Sequence, residues 1–452
     1  MERERLGSRL GFILLSAGCA IGLGNVYKFP YMVGQNGGGL FVLIYLAFLA
    51  LIGIPVMTME FAVGRAGQKS PARVFNEIEP KGSKWHLHGY VCLIASYVLL
   101  MCYTTIAGWL VRFFVDTAKG DFVGLDSTGI ADHFSNVVGN TGANIFYTGL
   151  VIFLAFLVCF IGLKNGLEKI TKIMMVALLT IMLVLAGNSL FLEGGQEGLK
   201  FYLMPSIENM MNAGIGNVLV AAMNQSFFTL SLGMGAMAIF GSYIGKDRSL
   251  MGESVNIALL DTFVALASGL IIFPACFAYN VDVTSGGPLI FLTLPNIFNH
   301  LPFGRFWGSL FFVFMSFAAL STVFAVFEEI LACTMDLFGW ARKKACTING
   351  ILLFLLSFPC ILGNSVWGKI TIFGYSIMDF EDYLVSSWVL PLGSLIFVLF
   401  CVTKYGWGWD KFVEEANHGK GIKIQKWMKY YMKYVLPLII LAVFLIGVLK
   451  LA

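Results

Sequence analysis

The stretch Ser16-Ala17-Gly18-Cys19-Ala20-Ile21-Gly22-Leu23-Gly24-Asn25 interrupts a long apolar segment with three glycines. A second long apolar segment contains Gln225-Ser226-Phe227-Phe228-Thr229-Leu230-Ser231-Leu232-Gly233-Met234-Gly235. Glycine costs a helix interior about 1 kcal/mol relative to alanine. Inside lipid, the backbone groups that such a break releases must find other partners, and ions or a zwitterion are the obvious ones. Interrupted helices at matching places in two halves of a chain indicate the binding site of a transporter.

The bulk composition is that of a membrane protein. Of the 452 residues, 58% are hydrophobic and 12% are charged, whereas a soluble domain is about 25% charged. The mean hydropathy is +0.81. The net charge of +4 is too small and too scattered to indicate nucleic-acid binding. The nine cysteines lack metal-ligand spacing and are interpreted as small apolar residues. We therefore predict an all-α polytopic membrane protein.

Eleven apolar segments are long enough to span lipid, which takes about 20 residues each. The predicted spans lie at 10–33, 40–64, 88–116, 143–163, 169–191, 217–244, 254–279, 307–336, 347–363, 379–403 and 433–451. A shorter apolar segment, at about 288–301, is bounded by proline and is too short to span. We predict that it forms a helix in an outer loop.

The distribution of basic residues orients these spans. With the N-terminus in the cytoplasm, 23 of the 30 Lys and Arg residues lie on the cytoplasmic side, as the positive-inside rule requires. An odd number of spans then places the C-terminus outside. Spans one to five and six to ten form two sets, and because five is odd, the second set runs with inverted topology. The predicted division is 1–192 and 193–403 for the two repeats, with 404–452 contributing a cytoplasmic loop and the last span.

Several motifs together resemble one family. The matching stretches are Arg9-Leu10-Gly11-Phe12, Gly22-Leu23-Gly24-Asn25-Val26-Tyr27-Lys28-Phe29-Pro30, Asn36-Gly37-Gly38-Gly39, Gly53-Ile54-Pro55 with Glu60, Gly64-Arg65 and Phe227-Phe228-Thr229-Leu230-Ser231-Leu232-Gly233. They resemble the neurotransmitter:sodium symporter family, bacterial amino-acid transporter branch, with the leucine-transporter fold. That fold is an established case of broken helices at a midplane site. The resemblance runs from about residue 6 to the end of the last span.

The resemblance implies a site for an α-amino acid between the two interruptions. N–H groups around Leu23 and Gly24 would hold the substrate carboxylate, because the start of a helix carries partial positive charge. The phenol of Tyr103 would donate a further hydrogen bond, although an interfacial aromatic side chain is the alternative interpretation. The carbonyl groups that would accept from the substrate ammonium group are those of Ala20, Phe228, Thr229 and Ser231.

Two sodium sites are implied in the same way, since sodium is a hard cation that prefers oxygen ligands. Besides the substrate carboxylate, the ligands of the first site would be Ala20, Asn25, Thr229 and Asp261. The ligands of the second site would be Gly18, Ile21, Ala318, Ser321 and Thr322. For Ser321 and Thr322, a hydrogen bond back to the preceding helical turn is the alternative interpretation.

Asp261 departs from the family pattern, which commonly has asparagine at this place. One turn further along, chloride-dependent members have serine and chloride-independent members an acidic residue, whereas this chain has Ala265. An ionisable side chain inside lipid is costly and is by default functional. We expect the Asp261 carboxylate to supply the negative charge that chloride supplies elsewhere, and therefore no chloride requirement. Asp261 is also a candidate for moving a proton during the cycle.

The substrate class is predicted from the residues that would surround the substrate. Members of the family that carry monoamines place an aspartate where this chain has Gly22, and its absence leaves room for the carboxylate of an amino acid. The predicted lining of the side-chain pocket is Leu99, Tyr103, Phe228, Met234, Thr322 and Val326. Phe228 would also cover the substrate as an aromatic lid. Because this lining is apolar and methionine is adaptable, we expect large hydrophobic or aromatic L-amino acids, such as leucine, tyrosine or tryptophan.

Two pairs of charged residues match the family's gates. Lys28 and Asp379 match the outer pair, in which lysine replaces the usual arginine and cannot form a planar bidentate pair. Snorkelling of Lys28 to the membrane surface is the alternative interpretation. Arg3 and Asp336 match the inner pair, with Tyr243 nearby. For Arg3, the alternative is a simple contribution to the charge bias that orients the chain.

The fifth span also departs from the family. Many bacterial members have a glycine and, ten residues later, a proline that together let the inner half of this helix unwind. Here Gly166 is present, but Val176 stands at the second position and keeps the hydrogen bond that proline would remove. We expect unwinding to cost more free energy, or to depend on Gly162 and Gly166 alone.

These features predict a sodium-coupled amino-acid symporter that works by alternating access with two sodium ions. We expect it in a bacterial cytoplasmic membrane, as a monomer or weak homodimer, without a nucleic-acid partner. A membrane enzyme is disfavoured, because the five histidines lie near span ends or in loops and no nucleophile–base arrangement is evident. A sodium channel and an amino-acid-binding sensor with little transport remain as alternatives that flux measurements would separate.

Overall fold

Eleven segments, named spans 1 to 11 in chain order, organise the described part of the chain; nine of them and the bent pair of span 1 are long and apolar enough to cross a membrane, and span 6 consists of two shorter helices. The structure is a computed structural model that describes residues 6–279, 283 and 289–449. Span 1 consists of Arg9–Ala20 (span 1a) and Gly24–Gln35 (span 1b), and span 6 of Ile215–Thr229 (span 6a) and Ala236–Gly241 (span 6b). Spans 2 to 5 and 7 to 11 are Gly39–Gly67, His86–Lys119, Thr141–Ile161, Leu163–Leu190, Leu250–Ala278, Gly304–Phe338, Arg342–Gly363, Ile377–Val402 and Met428–Val448.

Every predicted span is present, with its ends displaced by a few residues, and the all-α fold class is confirmed. The largest displacement is at span 5, which begins at Leu163 rather than at 169. Gly162 is the single residue between spans 4 and 5, and its φ of +114° ends the helix of span 4. A π-helical turn, Leu163–Glu168, follows directly and begins span 5. The predicted loop helix is found at Leu289–His300, and its predicted start at 288 lies outside the described residues.

Both predicted interruptions are real breaks in the helices. Span 1a ends where Ile21 takes an extended conformation, and the two halves of span 1 meet at 48°. In span 6, Ser231, Gly233 and Gly235 have φ values of +50°, +86° and +92°, which no continuous α-helix contains. A Cβ atom at Gly233 would also lie 2.8 Å from the Ser394 nitrogen of span 10. Glycine is therefore required there by both conformation and space.

The broken helices lie against the most buried part of the molecule. In the most apolar 18 residues of each span, 83% are buried in span 8, 39% in spans 4 and 5, and 28% in span 11. Spans 1a, 3, 5 and 6b all pack against span 8. The less buried spans present apolar side chains to the surface, as lipid contact requires. The unpaired backbone groups of the two breaks therefore lie inside the protein and face other spans rather than lipid.

The loop between spans 10 and 11, which is cytoplasmic by the predicted orientation, closes one end of the bundle. It carries the helix Trp409–Ala416, whose Glu415 accepts a hydrogen bond from Nε of the fully buried Arg65 at 2.7 Å. Arg65 also donates to the carbonyl group of Arg248 at 2.9 Å. Nearby, the Lys420 nitrogen donates to the Asp247 carbonyl. The end of span 2 and the segment after span 6b are thereby fixed to the same loop.

Candidate substrate and sodium site

A small cavity lies between the two helix breaks. Its volume is about 10 Å³. It is lined by Cys19, Ala20, Gly22 and Gly24 of span 1, Leu99 and Tyr103 of span 3, Phe228, Ser231 and Met234 of span 6, Thr322 of span 8, and Val385 and Leu390 of span 10. Both breaks therefore contribute backbone atoms to one enclosure, and spans 3 and 10 contribute mainly apolar side chains.

Gly22 and Tyr103 form one wall of this cavity. The Leu23 N–H donates to the Tyr103 hydroxyl at 2.7 Å, and the Gly22 N–H donates to Oδ1 of Asn25 at 3.2 Å. A Cβ atom at Gly22 would overlap the Tyr103 hydroxyl and Oγ1 of Thr322. Only glycine therefore fits at this position, and the N–H groups of the break point to side-chain oxygens at the cavity wall.

Asp261 of span 7 connects both breaks. Its carboxylate accepts hydrogen bonds from Nδ2 of Asn25 at 2.8 Å and from Oγ1 of Thr229 at 3.0 Å. The Tyr45 hydroxyl lies 3.5 Å from the same carboxylate. Asp261 is fully buried, and all three partners are neutral. The structure therefore gathers the predicted Asn25, Thr229 and Asp261 into one cluster of oxygen-bearing side chains beside the cavity.

A second cluster of oxygen atoms joins span 1a to span 8. Oγ of Ser321 donates to the Ala318 carbonyl at 2.9 Å and lies 3.3 Å from the Ile21 carbonyl. Oγ1 of Thr322 lies 3.3 Å from the Gly18 carbonyl. All five predicted ligands of the second sodium site thus lie together. The hydrogen bond from Ser321 to Ala318 runs back to the preceding helical turn, which is the alternative interpretation of this hydroxyl. The same hydroxyl remains close to the Ile21 carbonyl, so the back-bond and the predicted sodium site are compatible.

Comparisons with known proteins place this geometry in a family. A model of the sodium:neurotransmitter symporter family matches residues 3–123 and 128–452. The chain belongs to this family. An uncharacterized sodium-dependent transporter of Bacillus subtilis (strain 168) is 34% identical over 98% of both chains, and one of Haemophilus influenzae is 32% identical over 98% of both. The crystal structure of MhsT in complex with L-phenylalanine matches with a TM-score of 0.89 and 37% identity, covering 98% of this chain and 100% of MhsT.

Membership of this family settles the general activity. The family consists of sodium-coupled transporters and not of enzymes. The chain is therefore a membrane-embedded, sodium-dependent transporter with the leucine-transporter fold.

Phe228 separates the cavity of this transporter from a larger vestibule. The vestibule has a volume of about 470 Å³, and Phe228 lines both spaces. The Lys28 ammonium group lies 4.1 Å from the centroid of the Phe228 ring, a favourable position for a cation. By the predicted orientation this vestibule faces outward. The role of Phe228 as an aromatic lid stays a prediction.

The predicted pairing of Lys28 with Asp379 is wrong. Nζ of Lys28 lies 3.0 and 2.8 Å from the two carboxylate oxygens of Asp382, and 2.9 Å from Oγ of Ser386. Asp379 instead lies in the first helical turn of span 10, where Ser376 caps its N–H and donates to its carboxylate. Asp382 is one turn further along the helix, and it is this carboxylate that meets Lys28.

Other polar contacts lie at the opposite side, which is cytoplasmic by the predicted orientation. Asp336 accepts a hydrogen bond from the Ser70 N–H at 2.7 Å, while its predicted partner Arg3 lies outside the described residues. Tyr243 donates to Oε1 of Glu328 at 2.9 Å. Glu328 also forms a bidentate pair with Arg342, at 2.7 and 2.8 Å. The predicted Tyr243 therefore belongs to a network with Glu328 and Arg342, which links spans 6, 8 and 9.

Most of the predicted cavity residues line the cavity, but three lie elsewhere. Leu23 lines the vestibule, Thr229 lies behind the cavity against Asp261, and Val326 is one turn beyond Thr322 in the core. Sequence reasoning missed Cys19, Val385 and Leu390. Cys19 could have been predicted, because it lies in the last turn of span 1a, directly before the first break. Val385 and Leu390 carry no sequence pattern that distinguishes them from other apolar residues.

Proposed function

We propose that this transporter imports large hydrophobic or aromatic L-amino acids together with sodium by alternating access. The observation that carries the proposal is the single cavity formed where both broken helices meet. A zwitterion needs donors for its carboxylate and acceptors for its ammonium group within a few ångströms. Helix breaks supply both, because one half ends in free carbonyl groups and the other begins with free N–H groups.

The proposed orientation places the substrate carboxylate at span 1. The N–H groups of Leu23 and Gly24 and the hydroxyl of Tyr103 would hold it. The ammonium group would face the carbonyl groups of Ala20, Phe228, Thr229 and Ser231. Gly22 supports an amino acid over a monoamine, because it offers no carboxylate of its own that could hold an amine.

The apolar part of the cavity supports a large uncharged substrate side chain. Leu99, Phe228, Met234, Val385 and Leu390 surround it, and no residue that lines it carries a charge. A charged substrate side chain would lose its hydration there without gaining a counter-ion. MhsT was crystallised in complex with L-phenylalanine, and its 37% identity to this chain supports the same substrate class here.

We further propose two sodium ions and no chloride. The first ion would be bound by the Ala20 carbonyl, Asn25, Thr229, Asp261 and the substrate carboxylate, and the second by Gly18, Ile21, Ala318, Ser321 and Thr322. Asp261 would supply a fixed negative charge close to the first ion. Ala265, one turn along, has no group that could hold an anion.

The proposed cycle follows from the two gates. Residues 1–192 and 193–403 would act as inverted repeats, with the N-terminus in the cytoplasm of a bacterial cell. Phe228 and the Lys28–Asp382 pair would close the outer side. The contacts of Asp336 and of Tyr243 with Glu328 would close the inner side. The transporter would work as a monomer or a weak homodimer.

A binding screen over the twenty amino acids, with purified protein in sodium or choline and in chloride or gluconate, tests the proposal. We expect sodium-dependent binding of leucine, phenylalanine, tyrosine or tryptophan that is unchanged by gluconate. Preference for glycine or glutamate over all of these would refute the substrate class. Uptake into proteoliposomes under a sodium gradient then separates transport from sensing, because a sensor would bind the amino acid without concentrating it.

A further inference from the structure

Two carboxyl groups lie buried behind the cavity. Glu60 of span 2 and Glu329 of span 8 are both fully buried. Glu329 is seven residues beyond Thr322, which is about 10 Å along an α-helix. Neither residue lines the cavity or the vestibule. The pair therefore belongs neither to the proposed substrate site nor to the sodium sites.

The two carboxyl groups differ in their hydrogen bonds. Glu60 accepts the N–H of Gly233, and the N–H groups of Gly235 and Met237 also face it. In contrast, neither oxygen of Glu329 accepts a hydrogen bond within the described part of the chain. The Ser96 hydroxyl lies beside Glu329 but donates to the Cys92 carbonyl at 3.0 Å. Among the described residues, one oxygen of Glu60 thus accepts a backbone N–H that favours its charged form, whereas its other oxygen and both oxygens of Glu329 have no hydrogen-bond partner.

The surroundings of Glu329 contain no compensating charge among the described residues. The titratable groups near it are Glu60 of span 2, the thiols of Cys19 of span 1a, Cys92 of span 3 and Cys333 of its own helix, and, beyond Cys92, the ring of His88. No ion pair to Glu60 or Glu329 is found in residues 6–279 and 289–449. Two adjacent buried carboxylates without a cation would be very costly.

A bound proton removes this cost. We propose that Glu329 is a proton-binding site that is occupied in this closed conformation and is emptied when the cytoplasmic side opens. On closing, a hydronium ion transfers a proton to one carboxylate oxygen of Glu329; an O–H bond of hydronium breaks, an O–H bond to Glu329 forms, and water is left. On opening, that bond breaks and the proton passes to water from the cytoplasm. Glu60, which accepts the Gly233 N–H, is the carboxylate that stays charged in the closed conformation.

The position of Glu329 couples this proton to movement. A Cβ atom at Gly235 would lie 3.2 Å from Oε1 of Glu329, and Gly235 directly precedes span 6b. On the other side, Cys19 near the end of span 1a lies close to Glu329 and also lines the cavity. A movement of span 1a or span 6b therefore admits water to Glu329. If the open form has lost the Glu329 proton completely, the equilibrium constant between the open and closed forms changes up to tenfold per pH unit. Low pH favours the closed form, because that form binds the proton.

Proton counting during ligand binding tests this inference, which rests on the proposed binding of sodium and an amino acid. Purified protein in weak buffer, from about pH 6 to about pH 9, receives sodium and L-phenylalanine while a pH indicator reports protons and labelled amino acid reports binding. We expect the wild type to take up as much as one proton per bound L-phenylalanine. Glu329→Gln should bind L-phenylalanine with no proton uptake, and the exposed-site control Glu193→Gln should match the wild type.

The outcomes separate the two proposals. Binding without proton uptake in the wild type, or unchanged uptake in Glu329→Gln, overturns the proton site and leaves the proposed function intact. If Glu329→Gln does not fold, infrared spectroscopy of the wild type decides, since a protonated carboxyl gives a C=O band that shifts in D2O. If the wild type binds no amino acid, the proposed function fails. The same band in the purified protein then supports the proton site, and its absence overturns it.

Discussion

Lys28 and Asp382 form a two-pronged ion pair above the cavity, with Nζ 3.0 and 2.8 Å from the two carboxylate oxygens. The Lys28 side chain is 12% exposed and that of Asp382 is 45% exposed. A lysine pair is less directional than an arginine pair, but here the ammonium group also lies over the ring of Phe228. The pair therefore holds both the end of span 10 and the aromatic lid.

The first prediction follows from this pair. Asp382→Asn should speed the release of bound L-phenylalanine about three- to tenfold at saturating sodium, because partly exposed pairs contribute roughly 1 kcal/mol. The matched control is Asp379→Asn, which should leave the release rate unchanged, since Asp379 contacts Ser376 and not Lys28. Dissociation of labelled amino acid from purified protein measures both. Equal effects of the two substitutions would contradict the assignment of Asp382 as the gate residue.

The spans were predictable because lipid imposes a length and an apolar composition on each of them. The breaks were predictable because clustered glycines are tolerated inside lipid only where backbone groups gain other partners. Gly22 and Gly233 show this most clearly, since a Cβ atom at either position would meet neighbouring atoms. Local sequence thus determined which helices are broken and where.

The partner of Lys28 was not predictable in the same way. Asp379 and Asp382 lie three residues apart, and only the packing of span 10 decides which carboxylate meets Lys28. Span 10 also contains the π-helical turn Leu384–Val389, which changes the angular position of the residues after it relative to a regular helix. Val385 lies in this turn and Leu390 directly follows it. Apolar composition alone does not predict that these two side chains face the cavity.

The second prediction concerns Gly22. Gly22→Ala should weaken sodium-dependent L-phenylalanine binding roughly 10- to 100-fold, because overpacking a filled site costs about 1–3 kcal/mol. The added methyl group would overlap the Tyr103 hydroxyl and Oγ1 of Thr322. Gly187→Ala in span 5 is the control, since its Cβ atom would have no neighbour within 4 Å. If Gly22→Ala bound L-phenylalanine as tightly as the wild type, Gly22 would not border the substrate, and the proposed site would be wrong at this position.

The third prediction tests the source of negative charge. Asp261→Asn should lower the apparent affinity for sodium about tenfold, because the carboxylate near the proposed first ion is lost, a change of about 1.4 kcal/mol. Wild-type binding should be equal in chloride and gluconate. Sodium titrations of L-phenylalanine binding in each salt measure both effects.

A double substitution sharpens this test. Asp261→Asn combined with Ala265→Ser restores the residue types of chloride-dependent members of the family, and we expect its sodium affinity to rise when gluconate is replaced by chloride. Asp261→Asn alone should respond less. A chloride requirement in the wild type would show that Asp261 does not supply the charge.

The fourth prediction concerns the first turns of span 5. Glu168 accepts hydrogen bonds from the Gly7 N–H at 2.7 Å, from Oγ of Ser8 at 3.0 Å and from Nζ of Lys172 at 2.8 Å. Its side chain is only 4% exposed. It thereby ties the segment before span 1a to span 5. Glu168→Gln removes the charge that strengthens these bonds, each of which contributes about 1.5–3 kcal/mol when charged.

Hydrogen exchange of residues 163–172 measures the result. We expect Glu168→Gln to raise exchange there about tenfold without sodium, because the π-helical turn at Leu163–Glu168 opens more readily once its contact with span 1a is weakened. Glu197→Gln, an exposed acid at the start of Gln196–Leu203, should leave this exchange unchanged. Val176 should keep the rest of span 5 protected, since it preserves the helix hydrogen bond that proline would remove. If residues 163–172 in sodium-free Glu168→Gln stay as protected as the centre of span 5, the inner half of this helix does not open during the cycle.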